Sequence, residues 1–182
     1  MEVATSSVLV LPYTASSVGV ARRRLIVDLS RAGVYEGTAC DAGLVLSELI
    51  SNALRHATPL PGRTVKVAWD LRQDSVAVAV SDGGGETVPM VNEPTNWSIG
   101  GRGLGIVARL SLRWGVCVDD AHWESEPPAN GNGAAKTAKT AKTDGNGHCP
   151  GGRGPGETTV WAELPVRYRS PASLVTVSSR DA

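Results

Sequence analysis

The clearest periodic pattern of apolar and polar positions lies between Thr38 and His56, where the spacing is helical. The apolar side chains share one arc of this predicted helix: Val45, Leu46, Leu49, Ile50, Ala53, Leu54 and Ala57. TACD at its start resembles a capping box with Asp in place of Glu, and TPLPG after His56 ends it. The pattern predicts a long amphipathic helix.

A strand and a shorter helix are predicted before it. SVLVLPY (Ser7 to Tyr13) is apolar and β-branched, which is typical of a short strand. Ser16 or Ser17 can then cap a helix through VGVARRRLIVDLSRAG, and Gly33 supplies its stop.

The segments after the long helix favour strands. TVKVAWDL and SVAVAVSD alternate with period two around a tight RQD turn and predict an antiparallel hairpin. GGRGLG then opens a short helix that leads to another strand, and TTVWAELP is a last strand. This order predicts an α+β fold, a two-layer sandwich in which helices cover one face of a mixed, mostly antiparallel sheet.

A long segment near the C-terminus has no such pattern. Residues 119–156 combine Pro, Gly and Asn with the repeat AAKTAKTAKT and hold almost no large apolar side chains. Such a segment cannot offset the entropy lost on ordering, so we expect a disordered insertion. A tolerated surface insertion is favoured over a lysine-rich binding arm. The sequence thus predicts one domain over residues 7–165 and a flexible tail over residues 166–182.

The composition excludes some classes of partner and compartment. Eighteen basic residues balance eighteen acidic ones, so no overall field favours nucleic acid or an anionic membrane. The apolar runs are far too short to span a bilayer. Three widely spaced cysteines without metal-type spacing predict a reducing compartment with no disulfide. We therefore expect a cytoplasmic protein.

Glu48, Asn52 and His56 lie four residues apart in one row of the long helix. Such a row drifts by about 40° per step, so it slants toward the apolar arc and Asn52 faces the crevice between helix and sheet. A carboxylate and an amide at this boundary can hold a metal ion or a water. Taken alone, the three residues are more typical of a solvated helix face.

Asp82 ends the alternating strand on the face of its inward valines. A carboxylate aimed toward the core needs a partner, which a donor-rich heterocycle at the end of the sheet would supply. The glycines that follow (Gly83 to Gly85) would let its ring approach the backbone closely. A turn after the strand explains the glycines as well, but it does not explain the inward acid.

The glycine cluster Gly100–Gly105 opens a helix, which turns free backbone N–H groups toward a phosphate. Arg102 can add positive charge, although a solvated loop arginine is common. A P-loop is excluded because no G-K-[ST] is present, and VNEPTNWSI before the cluster is not a Rossmann strand.

In this order, ELISNALRH, SDGGG and GGRGLGIV resemble the N, G1 and G2 boxes of the GHKL superfamily, the Bergerat-fold ATPases and kinases. TTVWAELP is similar to the closing strand of that fold. The small size, the lack of a dimerisation and phosphoacceptor domain and the arginine-bearing first helix most resemble single-domain anti-sigma-factor serine/threonine kinases. The resemblance covers residues 7–117 and 158–165 and implies a Bergerat ATP-binding fold.

The resemblance implies a role for each matching residue. Asn52 would coordinate the Mg²⁺ that bridges the phosphates of ATP, and Glu48 would orient or deprotonate the attacking hydroxyl. Asp82 would accept from the adenine amino group, with Gly84 beside the ring and Thr159 supporting Asp82. The other implied cofactor-binding positions are His56, Gly101, Arg102, Gly103, Leu104 and Gly105.

Two departures from the family pattern leave two functions open. Glu86 stands where the G1 box prefers a second glycine, and the implied ATP lid, residues 85–100, is short with few basic residues. The first function is a kinase that phosphorylates Ser or Thr of a small antagonist protein. The second is a non-catalytic, nucleotide-dependent switch that sequesters a sigma factor or another regulator. The resemblance also implies homodimerisation through the N-terminal strand and a partner contact at Arg22 to Arg24.

Overall fold

The computed structural model describes residues 5–85, 102–117 and 156–169. Its elements in chain order are β1 (Thr5–Pro12), α1 (Ser16–Arg31), α2 (Glu36–His56), β2 (Thr64–Leu71), β3 (Ser75–Asp82), α3 (Arg102–Leu110), β4 (Arg113–Cys117) and β5 (Thr158–Pro165). None of these helices is long and apolar enough to cross a membrane. The predicted lid after Gly85 and the predicted insertion before Gly156 lie outside the described residues.

The strands form one sheet in the order β1-β2-β3-β5-β4, and every neighbouring pair is antiparallel. The predicted α+β fold is confirmed, with a sheet that is antiparallel through all its described strands. The β2–β3 hairpin closes at the predicted turn, where Arg72 N donates to Ser75 O at 2.8 Å.

One hydrophobic core lies between the sheet and the helices. On the sheet side, the core is formed by alternate residues of β2 and β3: Val65, Val67, Trp69, Leu71, Val76, Val78 and Val80. α1 and α2 cover this face of the sheet and pack closely at Gly43, where an added Cβ would come 3.1 Å from Ile26 Cδ1. The small residue therefore lets the two helices pack together over the sheet.

Both N-terminal helix boundaries differ from the prediction. α1 begins at Ser16 and has no side-chain cap, because Ala15 is at the N-cap position; Ser17 Oγ donates to Pro12 O at 2.6 Å. α2 begins at Glu36, so Thr38 is buried in its first turn and forms no capping box. Gly33 follows α1 with a φ of 80°, as expected for a helix stop.

The chain after β5 contacts the turn between α1 and α2. Tyr168 pairs with Val34 in an isolated bridge, and Arg169 N donates to Gly33 O at 2.9 Å. The start of the predicted flexible tail is therefore hydrogen-bonded to the rest of the domain, through Val166 to the β2–β3 turn and through Arg167 and Arg169 to the segment between α1 and α2. The rest of that tail lies outside the described residues.

Cys117, at the end of β4, is disulfide-bonded, whereas Cys40 is free and exposed. The partner of Cys117 lies outside the described residues. The expectation that the chain has no disulfide is therefore wrong. Wide spacing along the sequence was the reason for that expectation, but it does not limit which cysteines the fold brings together.

Candidate functional site

The polar row on α2 brings Glu48 and Asn52 to the packing surface between α2 and α3. Both side chains are half-buried, and Asn52 Nδ2 is enclosed without a hydrogen-bond partner among the described residues. Leaving a buried donor unpaired costs about 1–3 kcal/mol, so this amide is suited to a ligand atom. His56, the third member of the row, is exposed at the last residue of α2.

The first turn of α3 lies directly against this row. A Cβ added to Gly103 would come 2.6 Å from Glu48 Oε2 and 3.5 Å from both Nδ2 and Oδ1 of Asn52. Only glycine fits here unless the Glu48 side chain moves. The N–H groups of a first helical turn have no partner within the helix, so a carboxylate and an amide meet the positive end of α3.

Gly105 lies in the same turn, but unlike Gly103 it has open space around it. No described atom lies within 4 Å of an added Cβ at this position. Glycine inside a helix costs about 1 kcal/mol relative to alanine, and the described residues give no steric reason for it. A bare helix surface is what the close approach of a ligand requires.

The neighbours of Gly105 differ in what the structure describes. Leu104 is half-buried and packs against the hydrophobic core, so it positions the turn. Gly101 and the side chain of Arg102 lie outside the described residues.

Asp82 is buried at the end of β3, with only 4% of its surface exposed. Its Oδ1 accepts a hydrogen bond from Gly84 N at 2.8 Å, while Oδ2 accepts none from a described residue. Burial raises the pKa of Asp82 to about 6, and the bond from Gly84 opposes this rise. The carboxylate is therefore mostly ionised at pH 7 and can accept one further hydrogen bond.

The glycines after Asp82 are required by contacts with the end of α2. An added Cβ would come 2.8 Å from Thr58 Oγ1 at Gly83 and 2.4 Å from His56 O at Gly85. Gly84 has a φ of 77° and accepts from Thr58 N at 2.7 Å. We call residues 56–59 and 83–85 the α2–β3 clasp. The sequence suggested that Gly83 and Gly85 leave room for a ligand ring. The structure corrects this, because residues 56–59 fill that space.

Thr158, rather than Thr159, lies opposite Asp82 in the pairing of β3 with β5. Thr159 is on the other face of the sheet, where its Oγ1 lies 2.8 Å from Ser81 Oγ. The resemblance implied that Thr159 supports Asp82, and the structure corrects this, because the two side chains lie on opposite faces of the sheet. Thr158 Oγ1 lies 3.2 Å from an added Cβ at Gly84, so its hydroxyl is at this end of the site.

Tyr13 is a site neighbour that the sequence reasoning missed. Its hydroxyl lies 2.5 Å from the carbonyl oxygens of both Ala53, in the last turn of α2, and Ala57, the residue after the helix. Burial raises the pKa of Tyr13, and the negative charge of Asp82 raises it further. The alternation of β1 could have shown that Tyr13 faces the helices, but not that it contacts α2.

The fold and the site together define an α+β domain with a polar site between α2, α3 and the end of β3. The sequence profile of the histidine kinase-like ATPase domain matches residues 11–116, more than half of the 182-residue chain. The chain belongs to this family, within the GHKL-type ATPase superfamily. A search of curated proteins found no match.

The residues at the site fit a nucleotide that carries its own Mg²⁺. The described residues contain no group of three or more His, Cys, Asp or Glu side chains that could hold a metal ion alone. Mg²⁺ commonly takes one or two protein ligands together with substrate phosphates. The side-chain oxygen of Asn52 and the adjacent Glu48 carboxylate, which both lie against the Gly103 position, provide such a partial set.

Proposed function

We propose that this chain binds ATP with Mg²⁺ and transfers the γ-phosphate to a Ser or Thr of a small antagonist protein, as an anti-sigma-factor kinase does. The observation that carries the proposal is the contact of Glu48 and Asn52 with Gly103 at the start of α3. A carboxylate, an unpaired amide and free helix N–H groups meet there, which is the composition of a phosphate site.

The two ends of the site recognise different parts of ATP. Asp82 Oδ2 accepts from the adenine amino group, because the ionised carboxylate has a free oxygen and lies at the buried end of β3. The first turn of α3 binds phosphate with its backbone N–H groups, and bare Gly105 allows the approach. Asn52 supplies an oxygen ligand to Mg²⁺, which neutralises phosphate charge when bound.

Glu48 is the residue that would perform the chemistry. Its carboxylate accepts the proton of the Ser or Thr hydroxyl while the hydroxyl oxygen forms a bond to the γ-phosphorus. The bond between that phosphorus and the bridging oxygen breaks, and ADP leaves. Such a transfer depends mainly on positioning and on neutralised phosphate charge, so few protein groups are needed.

The partner of the proposed kinase is an antagonist protein or a sigma factor. Arg22, Arg23 and Arg24 are exposed on α1, and only Arg24 has an ion pair among the described residues, with Asp28. These guanidinium groups offer a contact surface for an acidic partner. β1 has a second edge that no described strand pairs with, which supports the proposed homodimer.

Incubation with labelled ATP, Mg²⁺ and candidate antagonist proteins tests this function. We expect label on an antagonist, and we expect Glu48→Gln to abolish the transfer while the variant still binds ATP. Asp41→Asn is the matched control, since it removes an exposed carboxylate from the same helix. Nucleotide binding without transfer to any antagonist would indicate the sequestering switch. No ATP binding by the unmodified chain would overturn both functions.

A further inference from the structure

The Glu48 carboxylate lies where a bound phosphate chain would have to approach. Its Oε2 would be 2.6 Å from a Cβ on Gly103, so it rests against the first turn of α3. The side chain is half-buried between two helices, and charges in such a place are screened by salt much less than exposed ones. A carboxylate and a phosphate therefore compete for the same positive helix end.

Within the described ranges, no side chain forms an ion pair with Glu48. None of the ion pairs or side-chain hydrogen bonds among the described residues involves Glu48. The neighbouring Asn52 amide is 3.5 Å from the same Cβ position, and its buried Nδ2 also lacks a partner. Apart from the positive end of α3, the carboxylate therefore has no ionic partner in the described part of the chain, and a cation arriving with the ligand would supply one.

We propose that Glu48 makes the site selective for the Mg²⁺ complex of ATP over Mg²⁺-free ATP. This inference rests on the proposed function. Free ATP brings an uncompensated phosphate charge to the place that Glu48 already occupies, and like charges in a half-buried crevice repel strongly. The Mg²⁺ complex brings the opposite charge with it, so the Glu48 carboxylate attracts it instead. Glu48 then excludes a ligand that could bind but could not react.

Calorimetric titration with ATP in EDTA, ATP in excess Mg²⁺, and adenosine tests the proposal. For the unmodified chain we expect the Mg²⁺ complex to bind at least about tenfold more tightly than free ATP. In Glu48→Gln, free ATP should bind about tenfold more tightly than it binds to the unmodified chain, and most of the preference should disappear. Adenosine, which has no phosphate, should bind both proteins equally and shows that the variant is folded.

The control again is Asp41→Asn, which removes one negative charge from an exposed position of α2 without touching α3. Its affinities should match those of the unmodified chain. The proposal is overturned if Glu48→Gln leaves the affinity for free ATP unchanged, if adenosine binding rises equally, or if Asp41→Asn has the same effect. If the unmodified chain binds none of the three ligands, the proposed function itself fails.

Discussion

Thr58 and Gly83 join the end of α2 to the end of β3. Gly83 N donates to Thr58 O at 2.9 Å, and a Cβ at Gly83 would come 2.8 Å from Thr58 Oγ1. This contact belongs to the α2–β3 clasp. Because Asn52 lies on α2 and Asp82 ends β3, the clasp sets the distance between the two ends of the candidate site.

Gly83→Ala should damage both stability and binding. The new methyl group meets Thr58 and the backbone oxygen of Pro59, and forcing extra volume into a packed position typically costs about 1–3 kcal/mol. We expect a lower free energy of unfolding in urea and weaker ATP binding. Gly19→Ala is the control, since a Cβ there meets only the end of a flexible Arg23 side chain at 3.4 Å. Equal stability of the two variants would argue against the clasp.

Gly105→Ala should increase the stability of the chain but weaken its binding of ATP. The helix should become more stable by about 0.5–1 kcal/mol, because alanine is the better helix former and meets no described atom. ATP binding should weaken, since the methyl group covers the surface that the phosphates approach, while adenosine binding should change little. Unchanged ATP affinity in a calorimetric titration would contradict the proposal that the phosphates bind at the first turn of α3.

Adenosine binding should depend on pH through Asp82. The pKa of Asp82 is about 6, and the ionised carboxylate accepts from the amino group more strongly than the neutral acid does. Affinity should be constant above pH 7 and should fall by at most about tenfold at pH 5, where roughly one carboxylate in eleven is ionised. Adenosine is the suitable ligand because it has no phosphate that titrates. A flat profile between pH 5 and 8 would contradict the assigned role.

Asp82 should also make the fold less stable at neutral pH. Its pKa rises from 3.8 to about 6 on folding, so the folded chain binds the proton more tightly between these values. The free energy of unfolding therefore falls as pH rises through this window and stays lower above it. Asp82→Asn removes the ionisation and should stabilise the chain at pH 7 by about 1–3 kcal/mol. The gain, measured by denaturant unfolding, should be smaller at pH 5, and an equal gain at both pH values would exclude this cause.

Features that follow from the repeat of apolar and polar residues along one helix or strand were predictable from the sequence. The β2–β3 hairpin follows from its alternation and turn, and the direction of Asp82 follows from counting along the same strand. The body of α2 follows from its apolar arc, although its start does not, because Tyr35 supplies no side-chain cap.

Features that depend on tertiary contacts were not predictable in this way. Which threonine faces Asp82 depends on the register between β3 and β5, two strands far apart in sequence, and a shift of one residue exchanges the faces. The clasp and the bond from Tyr13 to α2 also join distant segments. Family resemblance correctly pointed to the superfamily, but it could not show why Gly83 and Gly85 are glycines.

The central claim is that one ATP binds between Asp82 and the start of α3, and calorimetric titration with ATP and Mg²⁺ tests it most directly. The account predicts one ATP bound per unmodified chain. Asn52→Ala and Asp82→Ala should each weaken binding by about tenfold or more, because the first removes an oxygen ligand from Mg²⁺ and the second removes the charged acceptor of the adenine amino group. No binding to the unmodified chain, or undiminished binding to both variants, would contradict the account.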